Sequence, residues 1–411
     1  MNDVDVVIVG AGSAGLAAGK TLQAEGKSFV VLEAMDRIGG RAWTSSEHFG
    51  VPFDIGCAWL HAADRNPYFE DAKAAGWTLQ HHDMNVDHLY FGRRKATEDE
   101  EAAMKMADLH LSDLLERHTG GDDRVSSLLA KGHLARAAAT FAGPMDFGKD
   151  YDEISVADFK SAADLEPNYF TKEGFGALVA RFGADVPVQL STPVRRIRWD
   201  APGVACETDR GTVRAKAAIV TASPAVLAFE EIDFTPDLPH AHVEAFFDLP
   251  MGMLTKLPVE IRGTRLGLRP FDDLLIERRA EHDVYFLCFP FDLDLMVGFV
   301  GGDFAWEMSA AGVEAGIDFV SDRLCDIFGS NLRKQIGRST MTNWAGERWV
   351  RGAYAAARPG QAAARTVLAQ PVAEKIFFAG EHLAGPLIQT CAGARLSGEA
   401  VARQVVATLV G

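Results

Sequence analysis

A short apolar run, Val6-Val7-Ile8-Val9, opens directly onto Gly10-Ala11-Gly12-Ser13-Ala14-Gly15, and this junction constrains the chain more than any other stretch. Consecutive apolar residues without polar alternation mark a strand covered on both faces, as in a parallel sheet. The G-x-G-x-x-G spacing turns such a strand into a helix while letting backbone approach a pyrophosphate and leaving helix N-terminal amides aimed at it. Gly15 to Gly26 predicts that helix, with Leu16, Ala17, Ala18 and Leu22 on its apolar side, and Phe29 to Glu33 predicts a second buried strand. Glu33 lies 18 residues past Gly15, at the strand end where an acid accepts hydrogen bonds from ribose hydroxyls. Strand, turn, helix, strand and acid together predict dinucleotide binding. They leave NAD and FAD equally open, because both use this geometry.

The chain is 411 residues long, enough for two or three domains at roughly 150 residues each. A hydrophobic fraction of 48% and a charged fraction of 24% are those of a folded globular protein. The net charge of −16 argues against nucleic-acid phosphates and anionic lipid as partners and weakly favours cationic small molecules. Five dispersed cysteines without a CxxC pair speak against a disulfide framework and against a zinc site; no other metal-ligand spacing is present. The opening MNDVDVVIVG has no basic region and reads as a first strand, and no apolar stretch approaches the ~18 residues of a membrane span. These features lead to the expectation of a cytoplasmic protein.

Further along, Thr97-x-x-Glu100 opens an amphipathic helix that runs to about His118, with Met104, Ala107, Leu111, Leu114 and Leu115 on one face. Short strands are predicted at Val194 to Ile197, Val204 to Thr208, Gly211 to Val213 and Ala218 to Val220. A helix is expected over Ser309 to Phe328, a buried strand over Lys375 to Glu381 and a closing helix over Gly393 to Leu409. Strand-rich pieces with glycine turns at the start, middle and end fit one nucleotide domain assembled from separated segments.

A second glycine pair breaks the tie between cofactors. Glu33-Ala34-Met35-Asp36-Arg37-Ile38-Gly39-Gly40-Arg41 resembles the L-E-A-x-D-R-x-G-G-R run of the flavin-containing amine oxidase family, the monoamine and polyamine oxidases. The resemblance extends through Asp54-Ile55-Gly56-Cys57-Ala58-Trp59-Leu60-His61, Met251-Gly252-Met253-Leu254-Thr255-Lys256, Asn343-Trp344 with Arg351-Gly352-Ala353-Tyr354 and Pro359-Gly360, and Phe378-Ala379-Gly380-Glu381-His382 with Gly393-Ala394 and Ser397-Gly398. It implies an α/β fold of the amine oxidase and glutathione reductase type. A discontinuous Rossmann-like FAD-binding domain (1–84, 171–240 and 340–411) would accompany an α+β substrate-binding domain (85–170 and 241–339).

The resemblance also implies the site. Gly10, Gly12, Ser13, Ala14, Gly15, Glu33, Ala34, Gly40, Arg41, Ala58, Trp59, Val194, Trp349, Gly380, Glu381 and Thr390 would hold FAD. Lys256, Tyr354, Thr390, His61 and Trp59 would line the reacting end, Lys256 reaching flavin N5 through a water. Thr390 stands where many relatives carry a second cage aromatic, so either the pocket is wider on that side or Trp349 or Trp59 supplies the other wall. The implied activity is oxidation of a primary or secondary amine, polyamines among the favoured substrates, to an imine that hydrolyses to an aldehyde. Oxygen or another acceptor would take the electrons. The other readings are an FAD-dependent desaturase or protoporphyrinogen-oxidase-like enzyme, a flavoprotein binding module without catalysis and, last, a plain NAD dehydrogenase. Ala353 occupies the position where some monoamine oxidases carry the flavin-linking cysteine, so the FAD is expected to be non-covalent. Acid precipitation should leave the yellow colour in the supernatant; a yellow pellet would refute this.

Overall fold

The strand Val6–Val9 (β1) is buried on both faces, which accounts for its unbroken apolar sequence. It is the middle strand of a five-stranded parallel sheet, ordered Ile376–Phe378, Ala217–Val220, β1, Phe29–Leu32 (β2) and Val188–Gln189. The computed structural model describes residues 3–129, 132, 135, 140–162, 165–200, 202–277 and 284–410. Alternate residues of the sheet enter two separate cores. Val7, Val9, Ala218, Val220, Ile376 and Phe378 pack with Ile197, Cys206 and Phe246 on one side. Val6, Ile8, Ala217, Ile219 and Phe377 pack on the other with Leu16 and Leu22 of the helix Ser13–Ala24 (α1) and with Ala402 and Val405 of the helix Cys391–Val410. Each fully buried valine or isoleucine contributes on the order of 1.5–3 kcal/mol, so neither face tolerates a polar side chain.

The chain divides into two compact units. The first comprises the residues up to His81, Ser161–Met251 and Arg348 onward. It holds the parallel sheet and a four-stranded sheet ordered Gly211–Ala215, Val204–Thr208, Val194–Arg198 and Asp233–Thr235. The second comprises His82–Lys160 and Gly252–Glu347. Its seven-stranded sheet runs Ile336–Ser339, Leu254–Ile261, Leu295–Gly301, Val284–Cys288, Asp273–Glu277, His88–Phe91 and Arg94–Lys95. All its pairings are antiparallel except that of Asp273–Glu277 with His88–Phe91. This is the α/β architecture with a second, mixed unit that the sequence predicted.

Local signals explain several boundaries. Thr97 and Glu100 form a reciprocal capping box at the start of the helix Glu98–Arg117. The single helix expected over Ser309 to Phe328 is two, Gly302–Ala311 and Val313–Phe328, because Gly312 adopts a left-handed φ of 93° that ends the first. The strand expected over Lys375 to Glu381 pairs only at Ile376–Phe378. Among the described residues no helix is long and apolar enough to cross a membrane.

Backbone proximity sets the position of α1. A Cβ on Gly15 would lie 1.9 Å from the Gly10 carbonyl oxygen, and one on Gly398 would lie 2.0 Å from the Ala14 oxygen. These two glycines let α1 sit directly on the β1 turn and let the closing helix sit directly on α1. The substitution Gly398→Val should cost at least about 1–3 kcal/mol through overpacking. Urea unfolding checks this; a wild-type midpoint would contradict the contact.

Candidate functional site

The turn after β1 is shaped for an anion. Gly10 has a φ of 100°, a conformation that favours glycine, and a Cβ there would also press on Thr221 Oγ1. Gly12 is the N-cap of α1 and supplies no side chain to its N-terminal amides. A Cβ on Gly12 would meet nothing within 4 Å, so the space over this helix end is open. The second glycine pair closes the other side: Gly39 pairs with Gly12 and donates its N–H to Ala11 O at 2.8 Å, and a Cβ on Gly40 would stand 3.2 Å from Gly12 Cα. The Ser13 hydroxyl is engaged within the protein, donating to Cys391 O at 2.8 Å and sharing a 2.9 Å hydrogen bond with Tyr68. Its contribution to an anion site, like that of Ala14, falls to the backbone.

Glu33, directly after β2, is a buried carboxylate that accepts the amides of Ala11 and Met35, the latter at 2.8 Å. Burial raises its pKa, opposed by those amides and by the Arg37 charge. Arg37 donates to Gly40 O at 2.7 Å and lies over the Trp43 ring, bracing the second turn. Ala34 follows Glu33, and Val194 is buried at the start of its strand.

A second cluster forms around Glu381, which is 5% exposed. Its Oε1 accepts from Arg41 at 2.9 Å and from the Ala355 amide at 3.1 Å, whereas its buried Oε2 has no partner among the described residues. Arg41, expected to hold FAD, spends a donor on Glu381 and another on Ala353 O. Arg365 and Gln389 both donate to Ala355 O at 3.0 Å, so the residues flanking Tyr354 are clamped and its half-buried ring is held on a fixed segment. Gly380 donates its amide to Ser397 Oγ at 3.2 Å, and a Cβ there would strike the His382 ring. His382 is buried, its Nδ1 unpartnered among the described residues. Burial, aided by the Arg365 and Arg41 charges, pushes its pKa down to about 3. Thr390 is a helix cap: its hydroxyl donates to Leu387 O at 2.7 Å and accepts the Gly393 amide at 2.9 Å at the start of Cys391–Val410.

Trp59 and His61 form a third group, their rings parallel within 11° at 6.2 Å, with Phe170 against the indole at 4.7 Å and Ala58 buried alongside. Asn66 donates to His61 O at 2.8 Å while capping the helix Pro67–Ala74. His61 Nδ1 lies 2.7 Å from Asn168 Oδ1, an acceptor, which sets Nδ1 as the protonated nitrogen and leaves Nε2 as the acceptor. Burial lowers the His61 pKa. Trp349 is flanked by the guanidinium groups of Arg348 at 4.7 Å and Arg195 at 5.5 Å.

Lys256 belongs to the second unit. It is 7% exposed, on the face of its strand opposite Thr255 and Leu257, which meet the helices Gly302–Ala311 and Val313–Phe328. Its Nζ lies 5.8 Å over the ring of Phe299, its cross-strand neighbour. Sequence reasoning did not single out Asn168, Arg365, Gln389 or Tyr68. None sits in a glycine-rich motif, and each acts through a partner distant in sequence.

An open glycine turn at an uncapped helix end, a buried acid at the next strand end and a buried carboxylate oxygen lacking a donor are what a dinucleotide with a hydroxylated chain requires. The residues present fit FAD. The chain matches the family described as "Flavin containing amine oxidoreductase" over residues 13–166 and 164–406, and it belongs to that family. Its cofactor is FAD. Putrescine oxidase from Kocuria rosea is 24% identical, over 86% of this chain and 84% of its own. Polyamine oxidase 4 from Oryza sativa subsp. japonica is 25% identical, over 97% and 87%. Lysine-specific histone demethylase 1 homolog 1 from the same plant is 25% identical over 98% of this chain, which spans about half (52%) of that protein's length. A solved structure of putrescine oxidase bound to putrescine shares the fold, with a TM-score of 0.81 at 22% identity over 98% of this chain and 99% of that one.

The depressed His382 pKa has a stability consequence. Below its ordinary value of 6.5 the unfolded chain takes up a proton that the folded chain refuses, so stability falls as pH drops from 6.5 towards 3 and is fully present above 6.5. The slope from this group approaches about 1.4 kcal/mol per pH unit. Urea unfolding from about pH 7 to about pH 5 should show a shallower decline in His382→Gln than in wild type; equal slopes would contradict a neutral buried imidazole.

Proposed function

We propose that the protein is an FAD-dependent amine oxidase that converts a primary or secondary amine to an imine, which water then hydrolyses to an aldehyde. The observation that carries this reading is Glu381. One of its oxygens is fixed by Arg41, the other has no partner among the described residues, and its segment also holds Tyr354 in place. An acceptor left unmet in a buried site costs about 1–3 kcal/mol, which a cofactor hydroxyl would recover. Family membership over nearly the whole chain supports amine oxidation over other flavin chemistry.

In this reading the backbone of Gly10 to Gly15 and of Gly40 cradles the pyrophosphate, Glu33 takes the ribose hydroxyls with Ala34 and Val194 beside the adenosine, and Gly380, Glu381 and the Thr390-capped helix serve the flavin end. Ala58, Trp59 and Trp349 complete the cofactor set. FAD, when bound, would supply the hydride acceptor for the amine, with oxygen, reduced to hydrogen peroxide, or another acceptor as the final sink for the two electrons. Tyr354 presents an aromatic face to the amine. The neutral His61, its Nε2 an acceptor, receives a hydrogen bond from a distal ammonium without repelling it, which favours polyamines. Lys256 moves the proton that accompanies amine oxidation. Cysteines all in the free state support a cytoplasmic location.

Anaerobic addition of spermidine, putrescine, aromatic amines, cyclic amines and amino acids, followed by visible absorbance, tests the proposal. Polyamines should bleach the flavin, and wild type should reduce it at least about tenfold faster than His61→Ala at matched subsaturating polyamine. Bleaching by none of these amines would contradict it.

A further inference from the structure

Lys256 sits where its strand loses regular pairing on one side. Along one edge of Leu254–Ile261 the ladder is complete, Lys256 facing Phe299. Along the other edge the neighbouring strand ends at Ser339, and the chain continues beside Lys256 by single bonds: Thr340 N–H to Pro258 O at 3.2 Å and Thr342 N–H to Lys256 O at 3.0 Å. The return bond does not go to a backbone carbonyl. Lys256 N–H donates to Thr342 Oγ1 at 2.9 Å.

The N–H and the C=O of Lys256 are thus both held along this edge by one residue, and one of the two bonds is made by a side chain. A ladder bond between backbones survives any substitution except proline. This one requires a hydroxyl acceptor at position 342. Thr342 is 5% exposed, so bulk water is a poor substitute, and its β-branched side chain has few rotamers in which to hold Oγ1. Burial of the lysine stem and the Phe299 ring beneath Nζ restrict the rest of the side chain, so a shift of the Lys256 backbone is transmitted to the ammonium or amine.

We propose that Thr342 is a positioning residue for Lys256, its hydroxyl fixing the point on the sheet from which Nζ moves a proton. The proposal rests on the reading of Lys256 as the proton-moving residue. Thr342 acts through the Lys256 backbone and has no chemical role of its own, so a serine, which keeps the acceptor, serves in its place.

The test uses the FAD-loaded full chain in five forms: wild type, Thr342→Val, Thr342→Ser, Lys256→Met and Thr342→Val with Lys256→Met. Thr342→Val should lower kcat about tenfold with KM within about twofold, and shift the pH dependence of kcat. Thr342→Ser should return kcat to within about twofold of wild type, and Thr342→Val should add nothing once Lys256 is methionine. Hydrogen exchange of the peptide bearing the Lys256 amide supplies a readout apart from turnover: faster in Thr342→Val, restored in Thr342→Ser. If the valine variant fails to retain FAD, Thr342→Ala, which adds no methyl group, is carried through the same measurements. Wild-type kcat and exchange in the variant lacking the hydroxyl would overturn the proposal, as would an equal loss in the Lys256→Met background. A slow Lys256→Met with an unaffected Thr342→Val sinks the proposal alone, whereas wild-type turnover in Lys256→Met sinks the reading beneath it as well.

Discussion

Backbone packed on backbone is the constraint from which the nucleotide unit follows. Gly15 brings α1 onto the turn that ends β1, and Gly398 brings the helix Cys391–Val410 onto α1, each approach too close for a Cβ. Two helix N-termini thereby arrive side by side, tied by the Ser13 hydroxyl on the Cys391 carbonyl. Each helix end carries a partial positive charge, the α1 end without a side-chain cap and the other capped by Thr390, so the pair sets a locally positive field in a chain of net charge −16. In the proposed reading the dinucleotide phosphates meet that local field at the α1 end, which the bulk charge does not predict.

Beyond the cradle, the unit spends its buried polar groups on holding other polar groups still. Arg41, Arg365, Gln389 and Glu381 converge on Ala353 and Ala355, and the effect is to immobilise the intervening Tyr354. His382, kept neutral among two guanidinium groups, adds no third charge to this cluster. Preorganisation of this kind is costly to assemble and useful only if a ligand is to meet fixed groups. Asn168 does the same for His61, fixing a tautomer that motif reading leaves undetermined.

The legible parts of the sequence were those in which a short stretch carries its own physics. The β1 run, the Gly10 to Gly15 spacing and Glu33 each state a local requirement, and the parallel sheet and its turn follow. Thr97 and Glu100 announce a helix start in the same way. Pairings across long separations were not legible: Ser13 with Cys391, Arg41 with Glu381 and Lys256 with Thr342 join segments whose proximity only the folded sheet creates. Thr390 shows the difference. The family resemblance puts it at the second cage position, but its hydroxyl is a helix cap, a role set by the Leu387 carbonyl and the Gly393 amide. The break at Gly312 was hidden because apolar spacing continues across it.

The central claim is that the open face of Gly12 is where FAD phosphate meets the chain. A Cβ at position 12 would meet no atom within 4 Å, so the larger part of a substitution's effect falls on the ligand. The decisive measurement is equilibrium FAD binding by Gly12→Val compared with wild type, alongside the thermal unfolding of both apoproteins. The account predicts apoproteins that differ by no more than about 1 kcal/mol, the cost of a poorer helix cap, and a loss of FAD affinity on the order of a hundredfold or more, about 2.7 kcal/mol. A valine variant that binds FAD as tightly as wild type would contradict it.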